Sequence, residues 1–158
     1  ILVGSDVDLG LVGNYFRDGM LGVAERFTFY ESPADAALGM ARFVTGQPRA
    51  GQLLELQDRP EIRAFMASLP TLAVVDVKSA PFFDSGNGHS YFMDSPRVSS
   101  DLLATLRYGL APDERGLVRK PDGVAWEFPP DYIERLRAAV AARRAATASS
   151  GEPETASR

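Results

Sequence analysis

The stretch Thr71-Leu72-Ala73-Val74-Val75-Asp76-Val77 is an apolar, β-branched run broken only by a carboxylate near its end. Such a run suits a strand buried on both faces, the kind found in parallel sheets. Directly before it, Ile62, Phe65, Met66 and Leu69 recur at helical spacing between Pro60 and Pro70,. Residues 46 to 60 are mixed, with Leu53, Leu54 and Leu56 as anchors. Further back, Ala37, Met40, Ala41 and Val44 keep i, i+3, i+4, i+7 spacing, and Ser32 and Pro33 suit the N-cap and first position of that helix,. Phe27-Thr28-Phe29-Tyr30 is aromatic and β-branched and predicts a second strand,. Leu11 to Val23 predicts a helix interrupted by Gly13, Gly19 and Gly22. Ile1 to Val3 predicts a short strand stopped by Gly4-Ser5-Asp6.

On the other side of the central run, a polar, Gly-rich loop from Ser79 to Gly88 delivers His89. Val98, Leu102, Leu103, Leu106 and Leu110 predict one face of a helix,. Leu117 to Phe128 predicts a hairpin around Lys120-Pro121-Asp122-Gly123,. Tyr132, Ile133, Leu136 and Val140 predict a last helix. From Ala145 onward the chain loses its apolar anchors, so residues 145–158 are expected to be a disordered tail and residues 1–144 the folded part,. Strands alternating with helices imply an α/β fold, a parallel sheet flanked by helices, here with a short C-terminal hairpin. Three parallel strands are few, and the run at Ile1 to Gly4 would be an open apolar edge. The expectation is that further strands of the parent protein precede it, as the start inside an apolar run without Met also suggests.

Composition narrows the chemistry. The 158 residues are 45% hydrophobic and 24% charged, with 17 Lys and Arg against 21 Asp and Glu, a net charge of −4. That balance belongs to a globular protein and argues against general phosphate-backbone binding, so no nucleic-acid partner is expected. There is no Cys and one His, which excludes disulfides, thiol nucleophiles and multi-His metal sites,. No segment reaches the roughly 20 apolar residues of a membrane span.

Ligands of open parallel sheets sit at the carboxyl ends of the strands. Three loops leave such ends, carrying Asp6 and Asp8, then Ser32 and Asp35, then the stretch from Asp84 to Ser90 with His89. A carboxylate that holds a histidine in one tautomer is the supporting half of a nucleophilic triad. Each residue also has a plainer reading. Asp35, three residues after Ser32, suits a capping box and opposes a helix dipole,. His89 suits a solvated loop. Asp6 and Asp8 suit a strand end or a cap, and Asp84 and Asn87 suit turns. No Gly-x-Ser-x-Gly elbow occurs, and neither Ser5, Ser85 nor Ser90 rebuilds one,. Gly86-Asn87-Gly88 lacks the Lys of a phosphate loop,. Arg135, Arg137, Arg143 and Arg144 suit a solvated helix face, and Tyr91, Phe92 and Trp126 suit core or pocket wall,.

The run from Tyr30 to Leu38 (YESPADAAL), the strand ending Val74-Val75-Asp76-Val77, and Gly88-His89-Ser90-Tyr91-Phe92 together resemble the C-terminal part of an alpha/beta-hydrolase. The opening Gly4-Ser5-Asp6-Val7-Asp8 followed by Phe16-Arg17 is similar to the same family, in an uncharacterised bacterial esterase/lipase-like branch. The resemblance covers about residues 1 to 128. It implies a triad in the chain order Ser, Asp, His, with Asp35 matching the acid after the seventh strand and His89 the base after the eighth. The strand at the start of the chain would be the sixth, so the nucleophile would lie upstream of Ile1. The resemblance thus implies part of a serine hydrolase acting on a small-molecule acyl ester, with no cofactor and no metal. A truncated hydrolase fold kept for binding or scaffolding is the alternative reading. A Rossmann-like or flavodoxin-like half-domain comes last, for want of a Gly-rich phosphate loop.

Overall fold

A computed structural model describes residues 1–32, 35–56, 59–80, 91–121 and 125–150. The central apolar run forms β3 (Leu72–Asp76), and the aromatic run forms β2 (Phe27–Glu31) beside it. The two pair in parallel, with Phe29 opposite Val74 and Glu31 opposite Asp76. β1 (Leu2–Val3) pairs in parallel with the outer side of β2. The expected hairpin consists of β4 (Val118–Arg119) and β5 (Trp126–Glu127), and it extends the sheet. β5 runs parallel to β3, giving the order β1-β2-β3-β5-β4 among the described residues. Four strands are therefore parallel and β4 alone is antiparallel.

Alternate side chains of β2 and β3 feed two cores, as the two-residue period of a strand requires. Phe29 and Val74 pack with Val12 and Phe16 of α1 (Leu9–Arg17) and with Met66 of α3 (Pro60–Ala67). Tyr30 and Val75 pack on the opposite face with Val98 of α5 (Pro96–Tyr108) and with Tyr132 and Leu136 of α6 (Tyr132–Ser150). Complete burial of such side chains stabilises by about 1.5–3 kcal/mol each. The central strands are thus covered on both sides, which is why their sequence reads as a continuous apolar run.

Local endings follow from identifiable residues. α1 stops at Asp18, after which Gly19 adopts φ 101°, a left-handed conformation that side-chain-bearing residues rarely take, and a short 3₁₀ turn follows at Met20–Gly22,. The predicted single helix over Leu11 to Val23 is therefore two pieces. Pro60 opens α3 at its first turn,. Ser95 caps α5 by accepting from Val98 N–H, and the preceding turn of helix is α4 (Tyr91–Asp94),.

Three expectations differ from the structure. The helix after β2 is α2 (Ala36–Thr45), and its N-cap is Asp35 rather than Ser32. Ser32 instead starts a turn, accepting Asp35 N–H on its carbonyl at 3.1 Å, so the helix begins one turn later; Pro33 lies outside the described residues. The predicted stripe on α2 does not face the core: Met40 and Val44 are 64% and 74% exposed, and Leu38 is the buried residue. On α5, Leu103 and Leu106 are exposed, and the buried face is Val98, Asp101 and Ala104. Apolar spacing identifies a stripe, but only a facing element can cover it.

α6 is also longer than expected. It continues through Ala145–Ser150, where Thr147 and Ser149 hydroxyls donate to the carbonyls four residues back,. Alanine-rich sequence supports helix without an apolar anchor, which accounts for the extension. Residues 151–158 of the expected tail lie outside the described residues.

Candidate active site

The carboxyl ends of β1, β2 and β3 form one rim, because the three strands run the same way. At the end of β1, Gly4 turns with φ 50° and donates its N–H to the Tyr30 carbonyl at 3.2 Å. The loop that follows is held by a second segment of chain. Gly51 N–H donates to Ser5 O at 2.9 Å, Ala50 N–H to Val7 O at 2.8 Å, and Leu9 N–H to Pro48 O at 3.0 Å. The fit at Gly51 needs glycine: a β-carbon there would stand 2.5 Å from Leu38 Cδ1 and 2.8 Å from Ser5 N,.

The acidic residues of this loop have local duties. Asp8 caps α1 by accepting from Leu11 N–H at 3.0 Å. Asp6 pairs with the Arg49 guanidinium at 3.3 Å, and Arg49 also donates to the Asp6 carbonyl at 3.2 Å. Ser5 accepts from Val7 N–H on its hydroxyl. None of the three is brought to Asp35 by any of these bonds.

β2 carries the candidate acid. Beyond its last residue, Glu31, the chain turns and presents Asp35, which is buried at the start of α2. Asp35 Oδ1 accepts from Leu38 N–H at 3.1 Å. The capping box weighed from the sequence, with Ser32 as the cap and Asp35 three residues in, is not what forms: Asp35 is itself the N-cap. A carboxylate accepts through two oxygens, so a cap and a histidine-orienting bond are chemically compatible.

Glu31 is a residue that sequence reasoning missed. It is buried at the strand end, and its Oε2 accepts from Leu54 N–H at 2.7 Å. That bond ties the 3₁₀ segment Ala50–Leu56 to the rim. Opposite Glu31, Asp76 closes β3: Oδ1 accepts from Lys78 N–H at 2.9 Å, and Oδ2 pairs with Lys120 Nζ at 2.8 Å. The sequence signal for both was a carboxylate ending an apolar strand.

His89 and Ser90, with Asp84, Ser85 and Asn87, lie outside the described residues. The chain is described again from Tyr91, which is fully buried. The Tyr91 phenol donates to the Tyr30 carbonyl at 2.8 Å. Burial pushes this phenol up from its ordinary range, and the nearby Asp35 and Glu31 carboxylates add to the shift,. Phe92 stands edge-on to Tyr91, and Trp126 lies under the Arg119 guanidinium at 4.5 Å. On α6, Arg135 pairs with Asp131 and Arg144 donates to the Tyr108 hydroxyl, both on an exposed face.

Among the described residues, no group of three or more His, Asp and Glu could hold a metal ion. None of their helices is long and apolar enough to cross a membrane. A family model described as "Alpha/beta hydrolase of unknown function" (DUF900) matches residues 1–107. No curated protein and no solved structure matches the chain.

Proposed function

We propose a hydrolytic function from one premise: the chain belongs to the alpha/beta-hydrolase family whose model matches residues 1–107. On this reading the complete enzyme cleaves an ester or related acyl bond of a small molecule through a Ser-Asp-His triad. His89 takes the proton of the attacking serine and then gives it to the leaving alkoxide. In the second half it takes a proton from water, whose oxygen attacks the acyl carbon, and gives that proton to the serine oxygen as the acyl–serine bond breaks and the carboxylic acid leaves. Asp35 orients His89 and stabilises the imidazolium without itself taking the proton. The nucleophile belongs to a segment outside these 158 residues, since they contain no serine elbow,. Among the described residues β1 is an edge strand, and further strands of the parent protein would pair with it there,.

The observation that carries the reading is the parallel pairing of β2 with β3. One strand leads at its carboxyl end to a buried carboxylate at a helix start, and the next leads, in chain order, to the lone histidine. Ligand chemistry in this kind of sheet collects on that rim.

The test uses the intact polypeptide and p-nitrophenyl esters of graded acyl length. His89→Ala and Asp35→Asn are each expected to lower kcat by roughly 10³–10⁴-fold, with KM little changed. Turnover that survives either substitution unchanged would overturn the triad.

A further inference from the structure

Asp35 stands at the head of a helix with a single described anchor. Among the described side chains of α2, Leu38 alone is buried, while Met40, Phe43 and Val44 lie in water. Leu38 is also the residue whose N–H the Asp35 carboxylate accepts, at 3.1 Å. Whatever holds the Leu38 side chain therefore helps to hold that carboxylate.

The Leu38 side chain rests against Gly51. A β-carbon at position 51 would come within 2.5 Å of Leu38 Cδ1, 2.8 Å of Ser5 N and 3.2 Å of Gly4 C. The first turn of α2, the exit from β1 and the 3₁₀ segment Ala50–Leu56 thus meet at one point. That segment acts as a strap with polar ties on either side of the meeting point. Ala50 N–H donates to Val7 O at 2.8 Å and Gly51 N–H to Ser5 O at 2.9 Å. These are backbone bonds, which do not depend on which side chains are present. The third tie does: Leu54 N–H donates to Oε2 of the buried Glu31 at 2.7 Å, the shortest of the three. Glu31 ends β2 and Leu54 lies 23 residues later, so this bond closes the base of the excursion that contains Asp35 and α2. Shielding from water strengthens such a bond.

We infer that Glu31 is a positioning residue: by latching the Ala50–Leu56 strap it keeps Leu38 seated on Gly51, and with it the Asp35 carboxylate in place at the rim. The inference rests on the hydrolytic reading above for what Asp35 does, but not for where it is held.

The test reads amide hydrogen exchange by NMR on the intact polypeptide. Amide 54 reports the latch, and amide 38 reports the Asp35 cap. Glu31→Met removes the acceptor at similar volume and is expected to speed exchange at both amides by about tenfold. Glu31→Gln keeps an oxygen acceptor and is expected to restore the protection of both. Where the methionine variant does not fold, the unmutated chain decides: the two amides should open together, as one cooperative unit, as urea is raised. Faster exchange at amide 54 with no change at amide 38, no change at either, or separate opening in urea would overturn the positioning role. Turnover separates this role from the reading it rests on. Glu31→Met is expected to lower kcat about tenfold with KM little changed, and Glu31→Gln to restore it. If amide 38 loses protection while kcat stays as it was, the positioning of Asp35 stands and its catalytic role fails.

Discussion

The two faces of the sheet are closed by different physics. On the α5–α6 face the apolar cluster surrounds a buried ionic centre. Asp101 and Arg115 are both completely buried and meet at 2.6 Å. Asp101 Oδ1 also accepts from the Tyr132 hydroxyl and Oδ2 from the Tyr30 hydroxyl, each at 2.6 Å, while Arg115 Nη1 donates to Leu110 O at 2.9 Å. On the α1–α3 face Val12, Phe16, Phe29, Met66 and Val74 form an apolar cluster, and the buried Glu31 carboxylate is held there by a backbone N–H, that of Leu54. Apolar contact is non-directional and tolerates sliding, whereas these hydrogen bonds admit one arrangement of β2, α5, the 110–115 turn and α6. The first face therefore fixes geometry, and the second mainly removes area from water.

The largest test of this contrast removes one partner of the ionic centre. Asp101→Ala is expected to cost about 3–5 kcal/mol in urea unfolding, because it leaves a buried guanidinium uncompensated. Replacing the pair together, as Asp101→Leu with Arg115→Met, is expected to recover most of that loss, since no unpaired charge remains. A cost below about 1 kcal/mol for Asp101→Ala would show that water reaches the centre, and the contrast between faces would dissolve.

Alkaline pH sharpens the same contrast by a smaller amount. Burial pushes the Tyr30 and Tyr132 phenols well above their ordinary value of 10.0, and the Asp101 carboxylate beside them adds to the shift. Burial opposes the charge on Arg115, but Asp101 and the two tyrosines outweigh it, so the guanidinium stays charged. Above pH 10 the unfolded chain releases these tyrosine protons and the folded chain keeps them. The unfolded state then binds fewer protons, so stability falls as pH rises. Their contribution is complete below pH 10 and declines by about 1.4 kcal/mol per tyrosine per pH unit above it. Spectrophotometric titration should show Tyr30 and Tyr132 ionising only with unfolding. Tyr132→Phe should flatten the decline, and an unchanged slope would count against burial of that phenol.

How legible this was depended on the type of force. The strand at Leu72–Asp76 was plain, because burial on both faces leaves a continuous apolar run. The hairpin was plain at its turn, yet the sequence contains nothing that says β5 will lie parallel to β3. Asp101 was hidden, since a carboxylate at a core-facing helical position looks like a solvated one until Arg115 and two tyrosines are found around it. Its position three residues after Val98, on the buried face, was the available signal. At the rim, Asp35 was legible as a residue but ambiguous in role, and the structure adds its cap on Leu38. His89 was singled out by being the lone histidine, a chemical rather than structural signal. Glu31 was overlooked, and Tyr91 was read only as core or pocket wall, because the bonds each makes to a backbone atom carry no sequence signature.

The smallest expected effect lies on α2, where the apolar pattern and the structure disagree. Phe43 is 85% exposed and sits beside Met40 and Val44 on a stripe that no described element covers. If periodicity alone drove packing, removing this ring would be costly. Because the ring is already in water in the folded chain, Phe43→Ser is expected to change the unfolding free energy by no more than about 0.5 kcal/mol. The matched control is Phe29→Ala on the buried face, expected to cost about 3–5 kcal/mol through the cavity it leaves,. A loss of about 2 kcal/mol or more at Phe43 would mean that the outer face of α2 is covered in solution. Apolar spacing would then have reported burial correctly on the helix that begins with Asp35.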